Sequence, residues 1–372
     1  MADEQRTSGL SFRLGGIPVH MPWSSLLGIL IISWLWFDFF SFDRTDGTRA
    51  YVLTGIFAVL FYVTILGHEL AHAVVARASG FPVSGITLWW LGGFTSFRRT
   101  IPSPMRDGLI AASGPLTSLA IGLACALVAT ASYGGSIEVY VLAYALAWSN
   151  VFLAIYNALP GLPLDGGNVL RAIVWGATKD ERRGTVAAAW GGRVVAVLVM
   201  SIPFWTAWRR GASPDLVSVV FSVAIGFFIW QGASQALKSA AINARVPRLS
   251  ARALSRPAIV VLGDTPLAEA LRRAEAESAT GLVVVDSAGH PVAIANPAAI
   301  DAVPVERRPW VPVSSVSSAF DPRAAISAEL TGNDLLHALL SVPSDTYLVV
   351  EPSGDRVGVL ASADVEAALS HD

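Results

Sequence analysis

Two histidines and a glutamate stand together inside one of the most apolar stretches of the sequence. His68, Glu69 and His72 form an HExxH pattern within the run 51–76, which contains no other Asp, Glu, Lys or Arg. In a helix the two histidines lie one turn apart on the same face, so both imidazoles can reach one zinc ion. Glu69 is then placed to take a proton from a zinc-bound water. An ionisable group in an apolar span costs on the order of a few kcal/mol unless it is partnered, which favours a functional role over packing against a polar neighbouring helix.

A third zinc ligand is expected from another segment, because a catalytic zinc site uses three protein ligands and one open position. The other histidines lie outside the apolar runs: His20, His290, His337 and His371. A carboxylate at the same membrane depth is therefore needed. Asp38 ends the first apolar run on the side opposite to the histidines, whereas Asp165 follows the fourth run on their side. Asp165 is the predicted partner.

The segment that leads to Asp165 is unusual for a membrane protein. Pro160 and Pro163 interrupt the helical pattern, and Gly166 and Gly167 permit the backbone to approach an ion closely. Broken helix at membrane depth is tolerated only where it is buried in protein or lines a cavity. The alternative is an ordinary proline-rich loop.

The composition indicates a membrane protein. Hydrophobic residues make up 53% of the chain and charged residues 15%, against about 45–50% and about 25% in soluble domains, and the mean hydropathy is +0.55. Cys125 is the only cysteine, which excludes a disulfide framework within the chain and a cysteine-based zinc site. We predict a polytopic α-helical membrane protein with about six transmembrane helices, at 22–40, 51–76, 108–132, 138–158, 194–208 and 216–237.

The distribution of basic residues predicts the orientation. With the amino terminus inside, the inner segments before residue 250 hold 14 Lys and Arg and the outer loops hold four. Positive charge is retained on the cytoplasmic side, so we expect a cell-membrane protein with both termini in the cytoplasm. Arginine supplies 24 of the 26 basic residues, a bias that favours a bacterial source with a GC-rich genome.

The residues after about 250 form a second body of soluble character. Residues 1–249 carry 18 basic and 12 acidic residues, and residues 250–372 carry 8 and 16. The segment 285–292 recurs 65 residues later at 350–357, each copy a strand, an acidic-Gly turn and a second strand between helical patterns. This predicts a cytosolic α/β module in which a β-α-β-β-α unit occurs twice. The alternative is two unrelated strand-turn-strand pieces.

The two membrane motifs together resemble a known family. HELAH at 68–72 and NALPGLPLDGG at 157–167 resemble the site-2 proteases, the intramembrane zinc metalloproteases of peptidase family M50, and the resemblance covers about residues 10–240. It implies one Zn²⁺ held by His68, His72 and Asp165, with Glu69 as general base. It also implies that Asn157, together with Asn150, steadies the substrate or the developing oxyanion. The alternative for both asparagines is a hydrogen bond to helix backbone.

Two shorter motifs fit the same family. The sequence WWLGGFT at 89–95 resembles a glycine-containing hairpin whose strand edge pairs with an unwound substrate. Ser113-Gly114-Pro115 resembles an element of small residues that lets helices approach closely. Only residues 133–138 separate the third and fourth predicted spans, so no PDZ domain is expected between them.

The repeat in the tail resembles a pair of CBS modules. Such pairs often bind adenine nucleotides through an Asp, which the second copy keeps as Asp364 in Gly358-Val359-Leu360-Ala361-Ser362-Ala363-Asp364, whereas the first copy has Ala299 there. A homodimer or protein-docking role is the alternative to nucleotide binding. The predicted domains are a cytosolic segment 1–21, a transmembrane metalloprotease domain 22–245, and CBS motifs at 246–310 and 311–372.

The resemblance implies a zinc endopeptidase that cleaves transmembrane helices of single-span proteins, such as anti-sigma factors, in regulated intramembrane proteolysis, with a regulatory CBS pair and no nucleic-acid partner. The principal alternative is a CBS-gated metal-ion transporter or sensor, which would use the same histidines but does not need Glu69. A catalytically silent scaffold for single-span partners is a third hypothesis.

Overall fold

The computed structural model describes residues 9–41, 47–90, 92–97, 103–353 and 356–370, and the chain divides into two units, 1–240 and 241–372. The first unit contains the strands β1 (Gly9–Leu14), β2 (Ile17–Pro22), β3 (Val83–Trp89) and β4 (Gly92–Phe97). Its helices are α1 (Ser24–Phe40), α2 (Gly47–Ala78), α3 (Pro104–Ala131), α4 (Ile137–Asn157), α5 (Asp165–Thr178), α6 (Glu181–Arg210) and α7 (Leu216–Arg245). Residues used in the predictions that lie outside the described ranges are Arg6, Arg44, Leu91, Arg98, Arg99, Gly354, Asp355 and His371.

The chain is a multi-pass membrane protein. In the described ranges five helices, α2, α3, α4, α6 and α7, are long and apolar enough to span a bilayer. The first predicted span is α1, whose 17 residues cover about 25 Å and so stand at the short end for crossing. The predicted run 194–208 is the second half of α6, which continues through Pro203.

A four-stranded sheet packs against the helix that carries the histidines. Its order is β1-β2-β3-β4, with β2 parallel to β3 and the other neighbours antiparallel. Among the described strands β4 pairs only with β3, so its second edge is unpaired. Apolar residues of β2 and β3 form one cluster with residues of α2: Ile17, Val19, Ile86, Leu88, Ile65 and Ala73.

The strand β1 and all of β2 except its last residue lie within the segment predicted as 1–21, for which no strand was expected. Gly15 and Gly16 join them in a two-residue turn with φ values of 55° and 79°, a conformation that glycine adopts without strain.

The break before Asp165 is an irregular segment enclosed by two helices. Backbone approaches backbone here, since a Cβ on Gly192 of α6 would lie 2.0 Å from the Leu162 carbonyl oxygen. A Cβ on Gly232 of α7 would lie 2.6 Å from the Pro163 ring. Glycines at these two positions therefore allow α6 and α7 to hold the segment. The helix α5, which was not predicted, begins at Asp165 itself.

The second unit contains the predicted repeat. After α8 (Ala251–Leu254) the first copy is β5 (Ala258–Leu262), α9 (Leu267–Ala276), β6 (Gly281–Val285), β7 (Pro291–Ala295) and α10 (Pro297–Asp301), followed by β8 (Ser317–Ala319). The second copy is β9 (Ala325–Ser327), α11 (Gly332–Ser341), β10 (Thr346–Val350), β11 (Arg356–Ala361) and α12 (Ser362–Ser370). The β-α-β-β-α prediction is confirmed in both copies.

The two copies form separate sheets, β5-β6-β7-β8 and β11-β10-β9. Val313 and Val316 belong to the core of the first copy, and β8 extends its sheet. Residues 313–319 therefore pack with the first copy, although the predicted division at 310/311 assigned them to the second.

Candidate metal centre

The structure brings together the three side chains that the sequence predicted as ligands. His68 Nε2 lies 3.0 Å from Asp165 Oδ2, His72 Nε2 lies 3.4 Å from the same oxygen, and the two Nε2 atoms are 3.2 Å apart. Both histidines are buried, and Asp165 is partly buried. One helix supplies the imidazoles and the first residue of another supplies the carboxylate, so the centre joins α2 to α5.

The donor set and its spacing fit zinc. Three ligand atoms bonded to one tetrahedral zinc ion at about 2.0–2.1 Å stand about 3.3 Å from one another, close to the 3.0–3.4 Å between these atoms. Two imidazoles and one carboxylate also match the ligand types of catalytic zinc sites, which leave a fourth position open.

Each histidine is oriented through its other ring nitrogen. His72 Nδ1 lies 2.7 Å from the Ile110 carbonyl oxygen, which can only accept, so Nδ1 carries the proton and Nε2 presents its lone pair to the centre. His68 Nδ1 lies 2.9 Å from the Ser118 hydroxyl. Partners of this kind fix the tautomer and the ring orientation of metal-binding histidines, and here both come from α3.

Gly114 of α3 leaves the space in which the two imidazoles meet. A Cβ at this position would lie 2.3 Å from His72 Nε2 and 2.5 Å from His68 Nε2. Any larger residue would therefore occupy the volume between the ligand atoms. The small-residue motif at 113–115 was predicted to allow close helix packing. Its glycine also leaves room for the ligand atoms of both histidines.

Glu69 is held against the β-hairpin. The Thr95 hydroxyl lies 2.8 Å from Glu69 Oε2 and 3.1 Å from the Glu69 carbonyl oxygen. A Cβ on Gly93 would lie 2.5 Å from Glu69 Cγ, so a glycine is needed for the strand to pass this close. The predicted hairpin thus positions the predicted base.

A cavity of about 930 Å³ opens on the ligands and on Glu69. Its walls are apolar where they come from α1 and α7, and β4 contributes Gly92 to Thr95. Besides the ligands, Glu69 and Thr95, its polar lining includes Tyr62, Asp107, Tyr156, Asn157, Asn168, Arg171 and Glu181. The cavity therefore places the centre next to both an apolar wall and an unpaired strand edge.

The two asparagines differ in environment. Asn157, the last residue of α4, is partly buried and lines the cavity. Asn150 is fully buried, and its Nδ2 donates to the Leu146 carbonyl oxygen at 2.9 Å, one turn back in the same helix. The backbone-bonding alternative therefore describes Asn150, while Asn157 remains a candidate for contact with a substrate.

An ion pair joins the ligand-bearing helix α5 to α3. Arg171 donates through Nη2 to Asp107 Oδ1 at 2.7 Å and through Nε to Asp107 Oδ2 at 3.1 Å. The Asp107 side chain is 6% exposed and that of Arg171 is 25% exposed. This bidentate pair ties α5 to the helix that orients both histidines.

In the tail, the predicted nucleotide-binding residue Asp364 is paired with a side chain of the protein itself. It forms an ion pair with Arg256, and its Oδ2 is buried with no hydrogen-bond partner in the described part of the chain. A separate cavity of about 280 Å³ is lined by residues around Asn296, Asp321 and Asp345, and Asp364 is not among them. A nucleotide contact by Asp364 stays a prediction.

No individual role was predicted from the sequence for four residues that support the centre: Ser118, Thr95, Asp107 and Arg171. A serine in an apolar helix and a threonine in a hairpin carry no distinctive pattern. Asp107 and Arg171 offered a weak signal, since both are charged residues at the ends of apolar runs.

The site region matches a known family. A model described as Peptidase family M50 matches residues 56–139 and 132–201, which include the two histidines, Glu69 and Asp165. The Synechocystis sp. protein sll0528, named as a zinc metalloprotease, is 27% identical over 374 residues, covering 95% of this chain and 93% of sll0528. Rip3 of Mycobacterium tuberculosis, also named as a zinc metalloprotease, is 35% identical over 232 residues, which are 60% of this chain and 57% of Rip3.

Solved structures are similar to each part of the chain. The site-2 protease from Methanocaldococcus jannaschii aligns with a TM-score of 0.43 and 23% identity, over 62% of this chain and 95% of that chain. A CBS domain of the bacterial CNNM/CorC family Mg²⁺ transporter, solved in complex with ATP, aligns with a TM-score of 0.26 and 16% identity, over 34% of this chain and 92% of that chain.

Proposed function

We propose that the chain is a zinc metalloprotease of peptidase family M50 that cleaves a transmembrane helix of a single-span membrane protein within the bilayer. The observation that carries this proposal is the convergence of His68, His72 and Asp165 beside Glu69, in a cavity bounded by membrane-spanning helices.

In the proposed mechanism His68, His72 and Asp165 hold the zinc ion. When bound, zinc supplies Lewis acidity, which polarises a carbonyl group and makes water more acidic. Ser118 and the Ile110 carbonyl keep the two imidazoles in place. The Arg171–Asp107 pair keeps α5, and with it the Asp165 carboxylate, against α3.

Glu69 is the proposed general base. Its carboxylate takes a proton from the attacking water and later returns that proton to the nitrogen of the leaving amine, a role worth about 10²- to 10⁴-fold in rate. The Thr95 hydroxyl, 2.8 Å from Oε2, restricts the rotation of the carboxylate. The base is therefore preorganised by the same strand that borders the cavity.

The substrate is proposed to bind as an extended segment along β4. An intact helix satisfies its carbonyl groups internally, so its peptide bonds must unwind before they can be attacked. The unpaired edge of β4 offers backbone groups to such a segment, and Asn157 lines the same cavity. We assign Asn157 a hydrogen bond to the substrate or to the developing oxyanion.

The remaining elements of the proposal concern biological context. The excess of basic residues on one side supports cytoplasmic termini. Anti-sigma factors are the proposed type of single-span substrate, and we assign the tail a regulatory role as a CBS pair, by an adenine nucleotide or by dimerisation.

The central test compares Glu69→Gln with the wild-type chain in cells that co-express a single-span substrate. We expect Glu69→Gln to keep its zinc, measured by elemental mass spectrometry on the purified protein, and to lose cleavage. Glu306→Gln, at an exposed position in the tail, is the matched control and should cleave normally. Cleavage by Glu69→Gln at the wild-type rate would refute the general-base role.

A further inference from the structure

One arginine lies within the apolar length of α6 and is enclosed by aromatic rings. The Arg193 guanidinium carbon is 4.7 Å from the ring centroid of Trp190 and 5.0 Å from that of Trp230 on α7. Its Nη2 lies 3.4 Å from the Ser234 hydroxyl, also on α7. The cation thus occupies a groove between the two helices, next to one indole from each helix.

The charge of Arg193 has no carboxylate partner in the described part of the chain. In the described ranges no carboxylate oxygen lies within 4.0 Å of it, in contrast to Arg171, whose guanidinium is paired. Its Nε is buried and has no acceptor among the described residues. A guanidinium has five donors, and the described residues offer this one a single acceptor, the Ser234 hydroxyl, so the remaining donors are available to an anion.

The position of the groove along the helices corresponds to a membrane interface. The residues between Arg193 and Arg209 are apolar or small except for Ser201 and Thr206, and they cover about 24 Å at 1.5 Å per residue. Arg209 stacks on Trp205 at the other end, at 5.3 Å. Tryptophan and arginine at both ends of an apolar stretch mark the two headgroup regions.

The helix α7 changes from apolar to polar residues close to Trp230, which contacts Arg193. Its residues from 216 to 230 are apolar or small apart from two serines, and polar residues follow from Gln231. Lys238 is exposed one turn beyond Ser234 and supplies a second cation on that side of the helix. The groove therefore lies where polar headgroups, rather than acyl chains, surround the protein.

We propose that Trp190, Arg193, Trp230 and Ser234 form a binding site for the phosphate of an anionic phospholipid headgroup. The planar guanidinium can donate two parallel hydrogen bonds to phosphate oxygens. Trp190 and Trp230 are 54% and 37% exposed, so their rings can flank the glycerol region of the lipid. Basic pockets between transmembrane helices are suited to such headgroups.

The bound lipid would support the metal centre from outside. Arg193 follows Gly192, which packs on the Leu162 carbonyl, and Trp230 precedes Gly232, which packs on Pro163. A phosphate that bridges the two helices at this level would hold the α6–α7 pair closed around the segment that leads to Asp165.

The test uses the full chain in nanodiscs that contain equal amounts of phosphatidylglycerol and phosphatidylcholine, with retained lipid measured by native mass spectrometry. We expect wild type to retain phosphatidylglycerol selectively. Arg193→Gln should lower that retention at least about tenfold, the effect of losing one charge-assisted hydrogen bond. Arg209→Gln, which alters an arginine beside a tryptophan at the other interface, should retain the lipid as wild type does.

Several results would overturn the proposal. Undiminished retention by Arg193→Gln, or an equal loss in Arg209→Gln, would show that the groove is not a specific site. Inorganic phosphate that displaces the lipid at millimolar concentration would indicate a site for soluble anions. If Arg193→Gln does not fold, Arg193→Lys keeps the charge without the planar fork and should still lose most of the selectivity, and wild-type selectivity in that variant would contradict the assigned geometry.

Discussion

Replacing Gly114 with alanine would place a methyl group against both zinc-facing nitrogens. The added Cβ would lie 2.3 Å from His72 Nε2 and 2.5 Å from His68 Nε2, whereas ordinary contact begins at 3.4 Å. The imidazoles or α3 must therefore move by about 1 Å to relieve this clash. A metal site tolerates only about 0.2 Å in its ligand distances, so this movement should disrupt zinc binding. Backbone strain is not involved, because Gly114 lies within a helix.

We expect Gly114→Ala to lower zinc affinity by at least about 100-fold, the upper end of what loss of an orienting partner causes. The measurement is zinc content by elemental mass spectrometry on the purified full chain, followed by competition with a fluorescent chelator. It requires no substrate, so it separates metal binding from catalysis.

Gly67→Ala is the matched control for this substitution. Gly67 directly precedes His68 on α2, and its added Cβ would meet only Ile121 Cδ1, at an ordinary 3.5 Å. This variant should bind zinc as wild type does. If Gly114→Ala bound one zinc with the affinity of wild type, the arrangement of α3 against the histidines would be wrong.

Three further predictions concern groups around the centre and in the tail. Ser118→Ala should lower zinc affinity about 10- to 100-fold with little change in thermal unfolding, because it removes only the partner of His68 Nδ1; an unchanged affinity would contradict that role. Arg171→Met leaves the buried Asp107 carboxylate unpaired and should lower the unfolding free energy by up to about 3 kcal/mol, measured by thermal unfolding in nanodiscs, whereas Arg182→Met, at an exposed position, should have little effect. Backbone N–H groups of its own turn hold the pKa of Asp286 below its ordinary value. The stability that the ionised Asp286 contributes to the tail is therefore fully present above about pH 4 and is lost as the pH falls through the lower folded pKa. Asp286→Asn should remove this part of the acid dependence of tail unfolding, and an acid profile identical to that of wild type would refute the prediction.

The main elements of the candidate centre were accessible from the sequence because helical periodicity and membrane depth are properties of single segments. Two histidines four residues apart must share a helix face, and depth left Asp165 as the carboxylate that could reach them. The structure places all three together. The spans and the repeated tail were predictable for the same reason, since each depends on the hydropathy pattern of one stretch.

The features that could not be predicted depend on contacts between segments that are distant in the sequence. Ser118 and Thr95 acquire their roles only when α3 and β4 pack against α2, and no local pattern distinguishes them from other small polar residues. The hairpin of β1 and β2 had a local signal, a Gly15-Gly16 turn between two alternating apolar stretches. The helix α5 was not predicted because Pro160 and Pro163 before it, and Gly166 and Gly167 in its first turn, interrupt the helical pattern.

The uneven lining of the large cavity bears on how the proposed hydrolysis would obtain water inside a lipid bilayer. Each broken peptide bond consumes one water molecule, and the apolar walls from α1 and α7 cannot hydrogen-bond to it. Asp107, Asn168, Arg171 and Glu181 border the same space and can hydrogen-bond to water there. We therefore expect the ion pair that secures α5 also to help water reach the centre, so its loss should slow turnover even in chains that keep their zinc.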